Sequence, residues 1–413
     1  MGQAVAGLRG SGDFASNERP EDFREMILFR RPNGSAPMLA LMSKARKAQV
    51  ADPTFHWWDE AVDIVRLQVN GALSASDTTV IVDSGDPDTS APNNVYGTAK
   101  HLTPGTILQV EKTTETATYD NELLLVESVQ SDTQFTVKRG FAGTSPGVIA
   151  DDTYLTAIGS AYGEGTAAPK ATSRNPVEYS NHCQIFKTSY ALTGTAVAIT
   201  NLRTGDALRN DKMRRSRDHS ISIEQAIMWG VKSSGTDTNG KPIRTTQGLR
   251  SFIPAANTKI FSTAVTYASL MDAINPAFDY ESDAGDQRIV FAGNTAINEL
   301  NKIISKETGV NINYSPKITV YGMRLIELMF PQGTIFLRSH PLMNRHGLYK
   351  RSAFGIDFSS IRWRHTKGRD THFQDNIQAK DEDQKRGQWF TEGGLEVNYA
   401  GLTNFYLGNI SAT

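Results

Sequence analysis

One stretch of the chain has the glycine and lysine spacing of a phosphate-binding loop. Gly235, Gly240 and Lys241 occupy the three positions that such a loop fixes. The loop needs Ser or Thr after its lysine to hold magnesium, and that position is Pro242. A phosphate-binding loop also follows a strand and leads into a helix, whereas here the residues before Gly235 predict a helix. We therefore predict a turn here, and a nucleotide-binding enzyme that uses this loop is the less favoured alternative.

A second stretch has the spacing of the nucleophile elbow found in hydrolases, with Gly143, Ser145 and Gly147. That motif strains its serine between a strand and a following helix. Here Pro146 comes next and a β-favouring pair follows, so a helix is not expected. We predict an ordinary turn.

His182 and Cys183 place a thiol next to a base. Neighbours on a strand point to opposite faces, which separates the two groups, so a packed cysteine is the better interpretation. The remaining histidine pairs lack the context of zinc ligands, and no pair of carboxylates defines an acid and a base. We predict no catalytic, cofactor-binding or metal-ligating residue and no enzyme activity. These histidine pairs are His340 with His346, and His365 with His372.

A basic cluster in the predicted long helix is the last candidate. Asp211 precedes Arg215 by four residues, and Arg214 precedes Asp218 by four. Opposite charges at this spacing meet on a helix surface and neutralise each other. We predict a salt-bridged or intersubunit face, with direct contact to nucleic acid as the weaker alternative. The cations of the cluster are Lys212, Arg214, Arg215 and Arg217.

Composition excludes several classes of protein. The 413 residues carry 43 Lys and Arg against 44 Asp and Glu, a net charge of −1, which argues against a dedicated nucleic-acid binder. The single cysteine excludes an intrachain disulfide and a four-cysteine zinc site. We expect neither an export signal nor a membrane-spanning segment, because no apolar run is long enough.

The order of predicted elements indicates an α+β fold with an inserted β domain. Short β-favouring runs separated by turn signals fill residues 66–165, and a Gly- and Pro-rich linker follows. A helix over 206–229, capped by Asp206, would span about 36 Å and lie across one side of a sheet. Further predicted helices cover 38–47, 267–278 and 295–305, and strands dominate the tail.

This succession resembles the major capsid proteins of tailed phages, which share the Hong Kong 97-type fold. Local sequence agrees at each step. Residues 230–253 are similar to the family's stretch after its spine helix, where a Gly-rich loop leads to Gly248-Leu249. The helices and strand of the family's axial domain are similar to residues 268–304. The strand pair that returns from that domain is similar to residues 321–335, and the final peripheral strands are similar to residues 392–410.

The resemblance implies five parts. They are an N-terminal arm (1–50), an extended-loop region (51–175) carrying the inserted β-rich domain (about 66–165), a peripheral domain with the spine helix (176–255), an axial domain (256–345) and returning peripheral strands (346–413). The insertion departs from the minimal family pattern. No lysine in it can be matched to the family's covalent cross-link. Its edge strands predict a module that adds contact between subunits.

The function implied is a structural major capsid protein. It would self-assemble into hexamers and pentamers of an icosahedral head in the virion, built in the host cytoplasm around double-stranded DNA. Its partners would be copies of itself, portal, scaffold and decoration proteins, and DNA through weak nonspecific contact; no cofactor and no membrane are expected. A phage tail or surface β-structure protein is the main alternative. The candidate subunit contacts are Phe29, Arg30, Trp57, Trp58, Arg209, Arg214, Arg215, Arg217 and Asp218.

Overall fold

A computed structural model describes residues 37–38, 47–60, 65–83, 99–112, 121–171, 176–198, 207–308, 318–320 and 323–411. The fold is α+β, as predicted. The strands are β1 (Lys47–Val50), β2 (Thr54–Asp59), β3 (Arg66–Gln68), β4 (Thr79–Ile81), β5 (Thr106–Val110), β6 (Leu123–Val129), β7 (Gln134–Lys138), β8 (Tyr154–Ser160), β9 (Val177–His182), β10 (Gln184–Thr193), β11 (Ser233–Thr236), β12 (Pro242–Thr245), β13 (Thr258–Ile260), β14 (Gln287–Ala292), β15 (Ile318–Val320), β16 (Met323–Phe330), β17 (Gly333–Ser339), β18 (Ala353–Ile356), β19 (Ile361–Thr366), β20 (His372–Gln374), β21 (Gln384–Val397) and β22 (Phe405–Gly408). The α-helices are α1 (Gly194–Ala198), α2 (Ala207–Trp229), α3 (Leu249–Phe252), α4 (Tyr267–Ile274), α5 (Asn294–Thr308) and α6 (Pro341–Arg345).

The long helix α2 lies across a five-stranded sheet with the order β1-β19-β21-β10, in which β20 also pairs with β21. Ile223, Ile227 and Met228 bury the C-terminal half of the helix against Trp363 and Leu395 of that sheet. Their spacing places them on one face of the helix. The N-terminal half carries the charges, and its residues 208–218 are all exposed or half-buried. The predicted helix and its position on the sheet are thus confirmed.

The inserted strands form a closed barrel. The order is β3-β8-β5-β6-β7-β4, and β4 returns to the residues after β3 through a bridge between Val69 and Val82. The N–H of Asn70 donates to the carbonyl of Ile81 at 2.9 Å across the same seam. Closure removes the unpaired backbone groups of a sheet edge. The expectation that this module offers edge strands is therefore wrong for the described strands, although the predicted strands themselves are confirmed.

The barrel has a core of its own. Each strand alternates inward and outward side chains, so the apolar residues of all six strands meet inside. The fully buried members are Leu67, Val69, Val80, Leu108, Leu124, Phe135, Val137 and Leu155.

A seven-stranded sheet, ordered β13-β22-β18-β14-β17-β16-β15, forms the second large layer, with α4 and α5 packed on it. Arg288 is almost fully buried near the start of β14, the central strand of this sheet. Its Nε donates to the carbonyl of Thr403 at 2.9 Å, and its two terminal nitrogens donate to the carbonyls of Ala277 (3.0 Å) and Gly285 (2.8 Å). These bonds offset the cost of burying the guanidinium and join the start of β14 to the turn before β22.

Two predicted elements differ from the structure. Pro37 and Met38 are helical, but Lys47 already belongs to β1, so the helix predicted over 38–47 is wrong at its end; residues 39–46 lie outside the described part. The tail is rich in strands, as predicted, but from Gln384 to Val397 it forms one long strand, β21, which begins within the charged residues 380–386 and which short β-favouring runs in the sequence do not predict. Among the described helices, none is long and apolar enough to cross a membrane.

Candidate assembly surfaces

The ribbon of β2 and β9 leads from the five-stranded sheet to the barrel. The residues of β2 alternate, so Phe55 and Trp57 face inward while Trp58 faces solvent. Trp57 is 6% exposed and stacks on Phe55 (5.9 Å between ring centroids) and on Tyr179 (6.1 Å). It therefore anchors the ribbon within its own subunit and leaves little surface for the predicted contact with a neighbour. Trp58 is 59% exposed beside its cross-strand partner Glu178 and remains available.

A buried asparagine fixes the base of the ribbon. Asn181 donates from Nδ2 to the carbonyl of Leu395 (2.7 Å) and to Thr246 Oγ1 (3.1 Å). Its Oδ1 accepts the N–H of Gln247 and the N–H of His182, both at 2.8 Å. A buried amide with all these bonds specifies one position of β9 against β21.

The thiol next to the imidazole is a packed cysteine, as predicted. Cys183 is buried against Phe55 and Trp57, and this burial raises the pKa of its thiol to about 11. His182 Nδ1 pairs instead with Thr54 Oγ1 at 3.1 Å. Burial, with Lys232 nearby, lowers the pKa of His182. A protonated thiol without an adjacent base is not an activated nucleophile.

The charged side chains in the N-terminal half of α2 form ion pairs with one another, but the paired residues are separated by a different number of positions from the one predicted. Arg214 reaches Asp211 (3.6 Å) and Arg215 reaches Asp218 (3.3 Å), both three residues apart and not four. Residues three and four apart both lie on one helix face, so the sequence indicates the pairing but not which neighbour is chosen. All four side chains are well exposed, so these pairs contribute little to stability and can exchange partners.

Lys212 is occupied inside the subunit. Its Nζ lies 3.7 Å from the ring centroid of Phe373 in β20, a cation–π contact that ties the helix to the sheet. Arg209 is exposed and Arg217 is half-buried. The cluster is therefore a partly neutralised face and not an open array of cations.

The stretch that imitates a phosphate loop is a β-hairpin of β11 and β12. Asp237 Oδ1 accepts the N–H groups of Asn239 and Lys241, each at 2.8 Å. The N–H of Asp237 donates to the carbonyl of Lys241, also at 2.8 Å. A phosphate loop needs such N–H groups free to face its ligand, and here a carboxylate takes them. The prediction of a turn is confirmed.

The stretch that imitates a nucleophile elbow is a loop of the barrel. The N–H of Gly147 donates to Glu122 Oε2 at 3.1 Å, and Ile149 pairs with Leu73 in an antiparallel bridge. Beneath this loop Glu122 and Arg139 form an ion pair at 2.6 Å, each side chain 6% exposed. Burial opposes ionisation of Glu122, but the bonds from Arg139, Gly147 and Gly140 outweigh it and lower the pKa of Glu122.

One buried polar cluster went unpredicted. Glu224 on α2 and His340 at the end of β17 are both fully buried, and Glu224 Oε1 accepts His340 Nε2 at 2.8 Å and the N–H of Met38 at 2.7 Å. The only sequence signal is a glutamate on the apolar face of the helix. In the described part of the chain, no group of three or more His, Cys, Asp or Glu residues is arranged to hold a metal ion.

A family model for the SU10 major capsid protein matches residues 7–402, which is almost the whole chain. The chain belongs to the SU10 major capsid protein family. A curated relative, the major capsid protein of Pseudomonas phage PaMx41, is 29% identical over 408 residues, covering 95% of this chain and 91% of the relative.

Solved structures similar to the chain have low sequence identity. A Microbacterium phage Oxtober96 chain is 10% identical with a TM-score of 0.45, covering 96% of this chain and 97% of its own length. A chain of the native GTA particle capsid is 9% identical with a TM-score of 0.44 and the same coverages.

As a member of the SU10 major capsid protein family, the chain is a structural subunit of a phage capsid. Its functional sites are therefore the surfaces between copies. Of the predicted contact residues, the structure brings the arginines and Asp218 together on α2 and places Trp58 on the ribbon, whereas Phe29 and Arg30 lie outside the described residues.

Proposed function

We propose that copies of this chain form hexamers and pentamers that close into an icosahedral head around double-stranded DNA, and that the chain has no enzymatic role. The family match over residues 7–402 carries this proposal, because it includes the barrel, the five-stranded sheet and all of the seven-stranded sheet except β22. The net charge of −1 agrees with it, since copies of a nearly neutral subunit repel one another little.

The proposed division of labour follows the five parts named above. The arm and the extended-loop region lie over neighbours. Strands β13 to β17 of the seven-stranded sheet belong to the axial domain, and α2, β10 and β18 to β22 belong to the peripheral domain. Trp58 and the arginines of α2 contact other copies. Portal, scaffold and decoration proteins join the same shell. Assembly takes place in the host cytoplasm. Packaged DNA meets the inner wall through weak nonspecific contacts.

Negative-stain electron microscopy of the expressed full chain tests this function. Closed shells of uniform diameter are expected. Small rings, trimers or tubes would favour the tail or surface β-structure alternative. Nucleotide binding that is abolished by Lys241→Ala would favour the enzyme, although Asp237 already takes the N–H groups of that loop.

The barrel is proposed to reinforce the shell through side chains and not through strand edges. Its outward apolar side chains include Val148, Ile158 and Tyr162, which are well exposed in the isolated chain. Because β3 and β8 are paired neighbours, a short Gly-Ser linker can replace the barrel without stretching the ribbon. Shells of the shortened chain should melt at a lower temperature, and an unchanged melting temperature would contradict the reinforcing role.

The arm is proposed to order on a neighbouring copy. Residues 1–26 are polar and carry no apolar period, so they cannot bury enough surface alone but can gain order on a partner. Removing residues 1–30 should lower the yield of shells without changing the unfolding of the subunit. Equal yields would contradict this role.

A further inference from the structure

The hairpin of β11 and β12 is solvated on both of its faces. All four residues of β11 are exposed, as are Pro242 and Ile243 of β12. Ile243 is 52% exposed, and Val231 at the base of the hairpin is 66% exposed. A two-stranded hairpin is marginal in water by itself, and apolar side chains on it gain free energy when another surface covers them.

The hairpin is nevertheless held in one shape. Asp237 fixes its tip through the bonds described above. At its base the N–H of Gly248 donates to the carbonyl of Gly230 at 2.9 Å, and Lys232 Nζ donates to the carbonyl of Ser180 at 2.7 Å. A Cβ on Gly248 would lie 2.6 Å from the carbonyl oxygen of Ala226, so the two chain segments approach as closely as glycine allows. A pre-shaped element loses little entropy on docking.

The charge of the hairpin defines the surface that it fits. Lys241 is exposed at the tip and Arg244 is half-exposed beside Ile243. A complementary surface on the same chain is the turn 279–286 before β14, which contains four acidic residues and no cation. These exposed acids are Asp279, Glu281, Asp283 and Asp286.

The acidic turn is also fixed in shape. Ser282 Oγ donates to Asp357 Oδ2 at 2.6 Å and accepts the N–H of Ala284 at 3.1 Å. Ser282 is therefore held inward while the carboxylates on either side point to solvent. Tyr280 is half-buried in the same turn and gives it an apolar surface.

We propose that the hairpin of one copy docks on the turn 279–286 of a second copy, where Ile243 covers apolar surface and Lys241 and Arg244 pair with the acids. The inference rests on the proposed function in that it presupposes assembly of identical copies. It assigns a role to the stretch that imitates a phosphate loop: the same Asp237 that blocks phosphate binding shapes the docking element.

Charge reversal and rescue in the full chain test the inference. Lys241→Glu with Arg244→Glu should raise the subunit concentration needed for half-assembly at least about tenfold, since close ion pairs across an interface couple by more than one such factor. Adding Glu281→Lys with Asp283→Lys should restore assembly to within about threefold of the parent. Lys367→Glu with Arg386→Glu, which changes the charge equally at exposed positions elsewhere, is the matched control.

Light scattering measures assembly, and thermal unfolding of the unassembled variants verifies that each folds like the parent. The inference is overturned if the charge reversal at Lys241 and Arg244 leaves assembly unchanged or weakens it no more than the control does. It is also overturned if the changes in the acidic turn fail to restore assembly. None of these results affects the proposed function, which fails separately if the parent chain forms no closed shell.

Discussion

The buried contact between α2 and the start of the described chain gives the sharpest prediction for subunit stability. Glu224→Ala removes the acceptor of two buried donors, His340 Nε2 and the N–H of Met38. Each unsatisfied buried donor costs about 1–3 kcal/mol, and more where a charged group is involved. Because both donors lose the same oxygen, we expect the free energy of unfolding to fall by about 3–5 kcal/mol.

Urea unfolding of the unassembled subunit, followed by far-UV circular dichroism, measures this loss. Gln225→Ala is the matched control, because residue 225 is the next position on the same helix and is exposed, so its loss should stay within about 0.5 kcal/mol. Glu224→Gln keeps an acceptor oxygen without its charge and should lie between the two.

The reasoning would be refuted if Glu224→Ala and Gln225→Ala unfolded at the same denaturant concentration. Hydrogen exchange gives a second readout, since the amide of Met38 is protected only while it donates to Glu224. Its exchange should accelerate in Glu224→Ala more than that of amides in the middle of β21.

Three further predictions concern the barrel and the ribbon. Arg139→Ala should cost about 3–5 kcal/mol in urea unfolding, because it leaves Glu122 buried without its cation, and stability close to the parent would contradict this. Because the pKa of Glu122 is lowered in the folded state, the stability that Glu122 contributes is complete above the ordinary glutamate pKa and is lost as the pH falls through the folded pKa. The thermal unfolding midpoint should therefore decrease from pH 7 to pH 3, and it should decrease less in Arg139→Ala. Trp57→Ala should lower the free energy of unfolding of the subunit by about 3–5 kcal/mol in thermal unfolding, because its ring is buried. Trp58→Ala should change that free energy by under about 0.5 kcal/mol but reduce the yield of shells measured by light scattering. A larger loss of subunit stability in Trp58→Ala than in Trp57→Ala would contradict the burial of the two rings.

The sequence predicted the elements whose signals are local. The strands of the barrel follow β-favouring runs between turn residues, and α2 follows from its length and from the glycine that ends it. The turn at 235–241 was predictable because Pro242 breaks the phosphate-loop pattern at one position. In each case the deciding residues lie within a few positions of one another.

Features that depend on distant residues could not be predicted. Glu224 and His340 are 116 positions apart, and neither lies in a motif. Trp57 and Trp58 are adjacent and of the same type, so only the register of β2 against β9 decides which ring is buried. Closure of the barrel depends on the seam where Val69 faces Val82, 13 positions further along the chain, and this pairing is a matter of strand order and not of propensity.

Barrel closure also explains how such a large module fits within a ribbon. The ribbon opens after Asp59, which pairs with Val177, and the barrel begins and ends with the paired strands β3 and β8. The chain therefore enters and leaves the barrel side by side, and the register of β2 against β9 does not depend on what lies between them. Because the apolar residues of the barrel form a cluster separate from those of the two large sheets, stability changes in the barrel and around Glu224 should add. A double variant of Arg139 and Glu224 that departed from additivity by more than about 0.5 kcal/mol would show that the two cores are coupled.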